Sequence, residues 1–160
     1  MVYIRPMKPF NIVLIEPEIP PNTGNIARLC AATGAVLHLV GKLGFSIDDR
    51  YLKRAGLDYW EFVALKQWPD LVALQESAPD GRFFYLSTKV ARSYLQASFQ
   101  PGDYIVFGKE TKGLPEDLLA ANPETSITIP MPAGAVRSLN LSTSAGIVLY
   151  EALRQCGEIE

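Results

Sequence analysis

The sequence predicts an α/β protein built on a mostly parallel sheet with helices on both faces. Three observations predict it. Short apolar runs, FNIVLIE, AVLHLVG, RFFYLS and DYIVFG, alternate with helical patterns along the chain. These runs are apolar at nearly every position, as strands buried on both faces are. No internal repeat, low-complexity tract or linker breaks the alternation, so one domain over residues 1–160 is expected, with 1–9 as an N-terminal arm.

Each element has its local reason. FNIVLIE reads as a buried strand. NTGNIARLCAATG reads as a helix, because Ile26, Leu29, Cys30 and Thr33 recur at spacings of three and four. Asn22 or Thr23 could cap its start, and Gly34 suits its end. AVLHLVG is a second strand and DDRYLKRAG a short helix closed by Gly56. WPDLVALQES reads as a helix with its proline in the first turn. RFFYLS and DYIVFG are strands, PEDLLAAN is a short helix entered through Pro115, and SITIPMP is a last short strand. LNLSTSAGIVLYEALRQ closes the chain as a helix.

Composition excludes several classes of protein. Hydrophobic residues make up 48% of the chain and charged residues 20%, the balance of an ordinary soluble globular protein. Apolar runs such as Ile12 to Ile15 are too short to span a bilayer, and MVYIRPMKPF lacks the apolar core of an export signal. Cys30 and Cys156 stand alone and His38 lies inside a strand pattern, so neither a zinc site nor a disulfide scaffold is expected. A cytoplasmic location follows from this cysteine usage. With 15 basic and 17 acidic residues, the chain does not coat nucleic acid by bulk charge. A local basic face remains open around Lys42, Arg50, Lys53 and Arg54.

Parallel sheets bind ligands at the carboxyl ends of their strands. Four loops leave those ends: PEIPPNTG, STKVA, GKETKG and PMPAGAVRS. FGKETKGLP has the glycine spacing of a phosphate-binding loop between Gly108 and Gly113. Leu114 and Pro115 stand where that loop needs lysine and a hydroxyl, which argues against a nucleotide-triphosphate cradle and leaves a nucleotide hydrolase only a remote option. A structural turn and a different ligand site both remain open. PPNTGNIAR adds Asn22 and Arg28 within two helical turns, and RSLNLSTS sets Arg137, Ser138, Asn140 and Ser142 at the mouth of the last helix.

Taken together, NTGNIAR, FGKETKGLP and IPM…RSLNLSTSAGIVLYEALRQ resemble the three motifs of the SPOUT superfamily of S-adenosylmethionine-dependent RNA methyltransferases. LGFSIDDRYLKRAGLDYWEF resembles one subgroup, the small enzymes of the TrmL, or YibK, type. Those enzymes methylate the ribose 2′-oxygen of the tRNA wobble nucleotide, C or U at position 34. The resemblance covers nearly the whole chain. It implies a C-terminal trefoil knot, S-adenosylmethionine as methyl donor with S-adenosylhomocysteine as product, and no metal. It also implies a homodimer in which both protomers build the active site, and the tRNA anticodon stem-loop as partner.

Residue roles follow from the same resemblance. Arg28 would lie nearest the chemistry. A guanidinium is a poor general base, so it would stabilise the developing alkoxide or hold a phosphate. Asn22 would orient Arg28 or the substrate, and Glu110 and Asn140 would shape the pocket. Leu86, Ser87, Thr88, Gly108, Ile129, Met131, Ser138 and Leu139 would hold the donor. Lys42, Arg50, Lys53, Arg54 and Lys112 would meet RNA phosphates. Tyr150 and Arg154, four apart on the last helix, would join the dimer seam or reach the partner's substrate. Lys109 stands where many relatives carry proline; it would either disfavour a cationic sulfonium or point outward to RNA. Two rivals remain: a 2′-O-methyltransferase for another tRNA or ribosomal RNA site, and a non-catalytic RNA-binding dimer.

Overall fold

The alternation of apolar side chains within each strand creates two cores, one on each face of the sheet. In the strand β1 (Asn11–Ile15), Ile12 and Leu14 face one way and Val13 the other. The computed structural model describes residues 7–48, 50, 54 and 60–159. Within them lie β1, helix α1 (Pro20–Thr33), β2 (Val36–Val40), β3 (Leu65–Trp68) and α2 (Leu71–Ser77). There follow β4 (Phe83–Leu86), β5 (Tyr104–Phe107), α3 (Glu116–Ala121), β6 (Ser126–Ile127) and α4 (Leu141–Gln155). Short 3-10 turns occupy Trp60–Phe62 and Tyr94–Gln96.

The six strands form one sheet in the order β3-β2-β1-β5-β4-β6, and every pairing is parallel. The first face carries Leu37, Leu39, Ile105, Phe107 and Leu86 against Ile26 and Cys30 of α1 and Val148 and Leu149 of α4. On the opposite face, Val13, Val40, Tyr85 and Val106 pack on Leu74 of α2 and Leu119 of α3. The α/β class and the covered parallel sheet expected from the sequence are therefore found.

Several local expectations are corrected. Asn22 does not cap α1. The cap is Ile19, without a side-chain bond, and Pro20 starts the helix, where its missing N–H costs nothing. Gly34 closes α1 as expected, at φ 77° with its N–H on the Cys30 carbonyl. Pro69 lies outside α2, whose cap is Asp70 accepting from the Ala73 N–H at 2.8 Å. The strand β3, unforeseen, sits before it at the sheet edge, with Lys66 and Gln67 exposed. β6 is only Ser126–Ile127, so Ile129 and Met131 fall in the loop beyond it. The predicted helix over DDRYLKRAG, with Lys53 and Gly56, lies largely outside the described residues; Arg50 and Arg54 are exposed.

His38 is the buried strand residue the sequence suggested. Its Nδ1 accepts from Trp68 Nε1 at 3.0 Å, so its Nε2–H faces Asn11 Oδ1 at 2.9 Å. Burial, with Lys66 nearby, brings its pKa down to about 4.

Candidate active site

Register places the site. Leu14 pairs with Phe107, Phe107 with Leu86, and Leu86 with Ile127, so four strands end at one level. The segments that follow them enclose a cavity of about 650 Å³. It lies at the carboxyl ends of the strands, where parallel sheets bind ligands.

Two walls differ in chemistry. Leu86, Phe107, Ile129, Leu139 and Leu141 give the lining its apolar surface, as an adenine ring requires, while Ser87, Thr88, Ser138 and Ser144 supply hydroxyls. Gly108 and Met131 complete this lining. All eight residues expected at the donor site thus line one cavity. Volume and lining fit a nucleoside-bearing cofactor. Lys89, Thr111, Thr128 and Ser144 also line it and were not foreseen, although Lys89 and Thr111 stand inside the loops STKVA and GKETKG.

The polar wall is a chain of hydrogen bonds. Asn140 caps α4, its Oδ1 accepting from the Ser142 N–H at 2.9 Å and the Thr143 N–H at 3.3 Å. Its Nδ2 donates to Asn22 Oδ1 at 3.0 Å. Asn22, only 5% exposed in the first turn of α1, donates in turn to Glu110 Oε1 at 3.4 Å. The Glu110 carboxylate also accepts the N–H groups of Glu18 at 2.8 Å and Ile19 at 3.1 Å. It thereby supplies the acceptor that α1 lacks at its own start. Glu18 answers by accepting the Thr111 N–H at 3.1 Å and hydroxyl at 2.7 Å. Those bonds hold the Glu18 carboxyl below the ordinary carboxylate range.

The glycine loop is shaped by its own backbone. A Cβ on Gly108 would stand 2.1 Å from the Gly113 carbonyl carbon. Gly113, at φ 66°, returns its N–H to the Lys109 carbonyl at 2.8 Å. The first glycine is therefore required by closure of the loop on itself, a reason beyond access for a ligand.

The remaining predicted residues divide between the cavity wall and the outer surface. Arg28 is exposed on α1 and outside the cavity wall. Six residues past Asn22, it is turned about 120° around the helix. Lys112 and Arg137 line the cavity, whereas Lys42, Arg50 and Arg54 do not. Arg154 is held by Glu151 through Nε at 2.7 Å and Nη2 at 3.0 Å, and Tyr150 beside it is exposed. Among the described residues, no group of three or more His, Cys, Asp or Glu side chains could hold a metal ion. None of their helices is long and apolar enough to cross a membrane.

A parallel sheet with a nucleoside-sized cavity at its carboxyl edge, enclosed by the four segments that follow its strands, defines a cofactor-binding α/β protein. Residues 9–150 match the SpoU rRNA Methylase family, and the chain belongs to it. It is 52% identical over 148 residues to the tRNA (cytidine(34)-2'-O)-methyltransferase of Escherichia coli K12, covering 92% of this chain and 94% of that protein. A structure solved in work on the 2-OH methylation of C/U34 on tRNA superposes with a TM-score of 0.87 at 46% identity, covering 92% and 96%. The SpoU methyltransferase AviRb of Streptomyces viridochromogenes, solved with AdoMet, gives 0.82 at 21% identity, covering 94% and 62%, a likeness of fold.

Proposed function

We propose that this chain transfers a methyl group from S-adenosylmethionine to the ribose 2′-hydroxyl of the wobble nucleotide, C or U, of tRNA. The observation that carries the reading is the Asn140–Asn22–Glu110 chain standing beside a cavity lined by every expected donor residue. The similarity to enzymes named for cytidine 34 directs the substrate to the anticodon.

Bound in the cavity, the donor supplies an activated methyl group, and the protein supplies position and electrostatics. Apolar walls at Leu86, Ile129 and Leu139 hold the base. The loop closed by Gly108 and Gly113 fixes the floor. Asn22, Glu110 and Asn140 form a wall whose geometry is locked before substrate arrives, the kind of preorganisation that aligns a nucleophile behind a methyl carbon. Arg28, exposed and outside the cavity, suits a group that meets the tRNA backbone or the developing alkoxide when the full active site assembles.

We assign the same assembly its remaining features on the family resemblance. The protein works as a homodimer whose protomers share each active site, with Tyr150 near the seam. The C-terminal part, with the loop over residues 128–140 and α4, forms the trefoil knot. Residues 1–160 act as one domain with 1–9 as an arm, in the cytoplasm. Arg50, Lys53, Arg54, Lys42 and Lys112 contact the anticodon stem-loop.

The test is incubation of the purified protein with labelled donor and bulk tRNA from a strain lacking the gene, followed by nucleoside mapping. A 2′-O-methyl group at the wobble nucleotide is expected. No label in tRNA would sink the enzyme reading in favour of an RNA-binding dimer. Label elsewhere in tRNA or only in ribosomal RNA would sink the wobble assignment.

A further inference from the structure

Glu16, directly after β1, has φ 49° and is the only described residue other than glycine with a positive φ. An L side chain holds that conformation only where its surroundings fix it. Here its N–H donates to the Val40 carbonyl at 2.8 Å. Its side chain lies over Gly41, itself at φ 78°, where an added Cβ would come within 3.0 Å of the Glu16 Cγ. So placed, the Glu16 carboxylate meets the Lys109 ammonium at 3.4 Å.

Lys109 belongs to the cavity wall and Glu16 does not. Lys89, another lining cation, is drawn outward in the same way, to Glu116 at 3.5 Å. Glu18 also feels the charge of Lys109 and Lys112. Acids standing outside the cavity thus hold lysines of its wall.

We propose that Glu16 is a positioning residue that keeps the Lys109 ammonium out of the cavity and so sets the preference of the site for a positively charged donor over its neutral product. The inference rests on the donor reading above. A sulfonium donor and its thioether product differ by one charge at the reacting sulfur. An ammonium released into the cavity repels the first and leaves the second nearly untouched. Such a repulsion amounts to a change in affinity on the order of tenfold.

Calorimetric titration with S-adenosylmethionine and S-adenosylhomocysteine tests this in the wild type, Glu16→Gln, Lys109→Met and the double variant. Glu16→Gln should weaken donor binding on the order of tenfold while product binding shifts less than about twofold. The double variant should recover the wild-type ratio, and Lys109→Met alone should bind donor at least as tightly as the wild type. Equal weakening of both ligands, or a double variant that keeps the Glu16→Gln loss, would mean that Glu16 only supports the loop. Selective loss of donor binding in Lys109→Met would overturn the proposal even if Glu16→Gln fails to fold. Wild-type protein that binds neither ligand overturns the donor assignment and this proposal with it, a result distinct from a lost preference.

Discussion

Asn140 Nδ2 donates to Asn22 Oδ1 at 3.0 Å, joining the start of the last helix to the first turn of the first across 118 residues of chain. The two oxygen and nitrogen ends of Asn140 have separable duties. Asn140→Asp keeps a good helix cap but loses the donor to Asn22. Its thermal midpoint should stay within a few degrees of wild type, while tRNA methylation should fall on the order of tenfold or more through misplacement of the wall. Asn140→Ala should lose the cap as well, about 1 kcal/mol by denaturant unfolding.

Removing the Glu110 carboxylate leaves two backbone donors at the entry of α1 without their acceptor. Glu110→Ala should cost about 2 kcal/mol, since hydrogen bonds to charged groups contribute about that much. Hydrogen exchange should speed up first at the Glu18 and Ile19 amides, and unchanged protection there would refute the clasp.

Two glycine substitutions should act with opposite sign. Gly108→Ala forces a Cβ onto the Gly113–Leu114 peptide and should lower both donor affinity and thermal stability. A Cβ at Gly146, inside α4, meets nothing within 4 Å. In a single chain Gly146→Ala should therefore stabilise α4 by up to about 1 kcal/mol, unless the proposed dimer seam near Tyr150 covers that face. A destabilised Gly146→Ala variant would point to a surface that packs tightly against that helix face.

Arg28 lies away from the cavity, so its loss should separate binding from turnover. Arg28→Ala should bind donor as the wild type does by calorimetry and fail to methylate tRNA. Intact turnover would remove it from the mechanism.

His38 makes a pH prediction with a definite sign. The folded chain holds it neutral, its pKa lowered to about 4 from 6.5, so the unfolded chain takes up the proton first. Its contribution to stability is fully present above about pH 6.5 and is lost as pH falls from there towards 4. As the single histidine, it is directly assignable by NMR. Its titration midpoint should lie near 4, with Nδ1 bare and Nε2 protonated at neutral pH.

Much of this was legible in the sequence where the cause is local. Ile12, Leu14 and Val13 advertise a strand buried on both faces, and Gly34 advertises a helix end. LKQW in β3 escaped because half of it faces solvent and only its neighbour in the sheet makes it a strand. Asn22 sits inside α1 and not at its cap because the proline pair, which resembles loop chemistry, is also admissible in a first helical turn. The donor cavity could be named from three motifs in order. The bonds from Glu110 to Glu18 and Ile19 could not, since no local pattern encodes a partner 92 residues away. Lys109 is the clearest case: its identity is visible in the sequence, but its ion pair with Glu16, a residue 93 positions earlier, is not.

The sheet order has a consequence for how the chain is made. β1 is made before β5, the strand that flanks it on one side, and the α1 entry is finished by Glu110. A nascent chain that has produced β1, α1 and β2 carries a central strand with an open edge and a helix start with unmet amides. Both wait for residues still being synthesised. Long-range closure of this kind slows folding and exposes strand edges to wrong partners. Until β5 and the glycine loop arrive, β1 and the start of α1 stay incomplete, and the methyl-donor site is among the last features to exist.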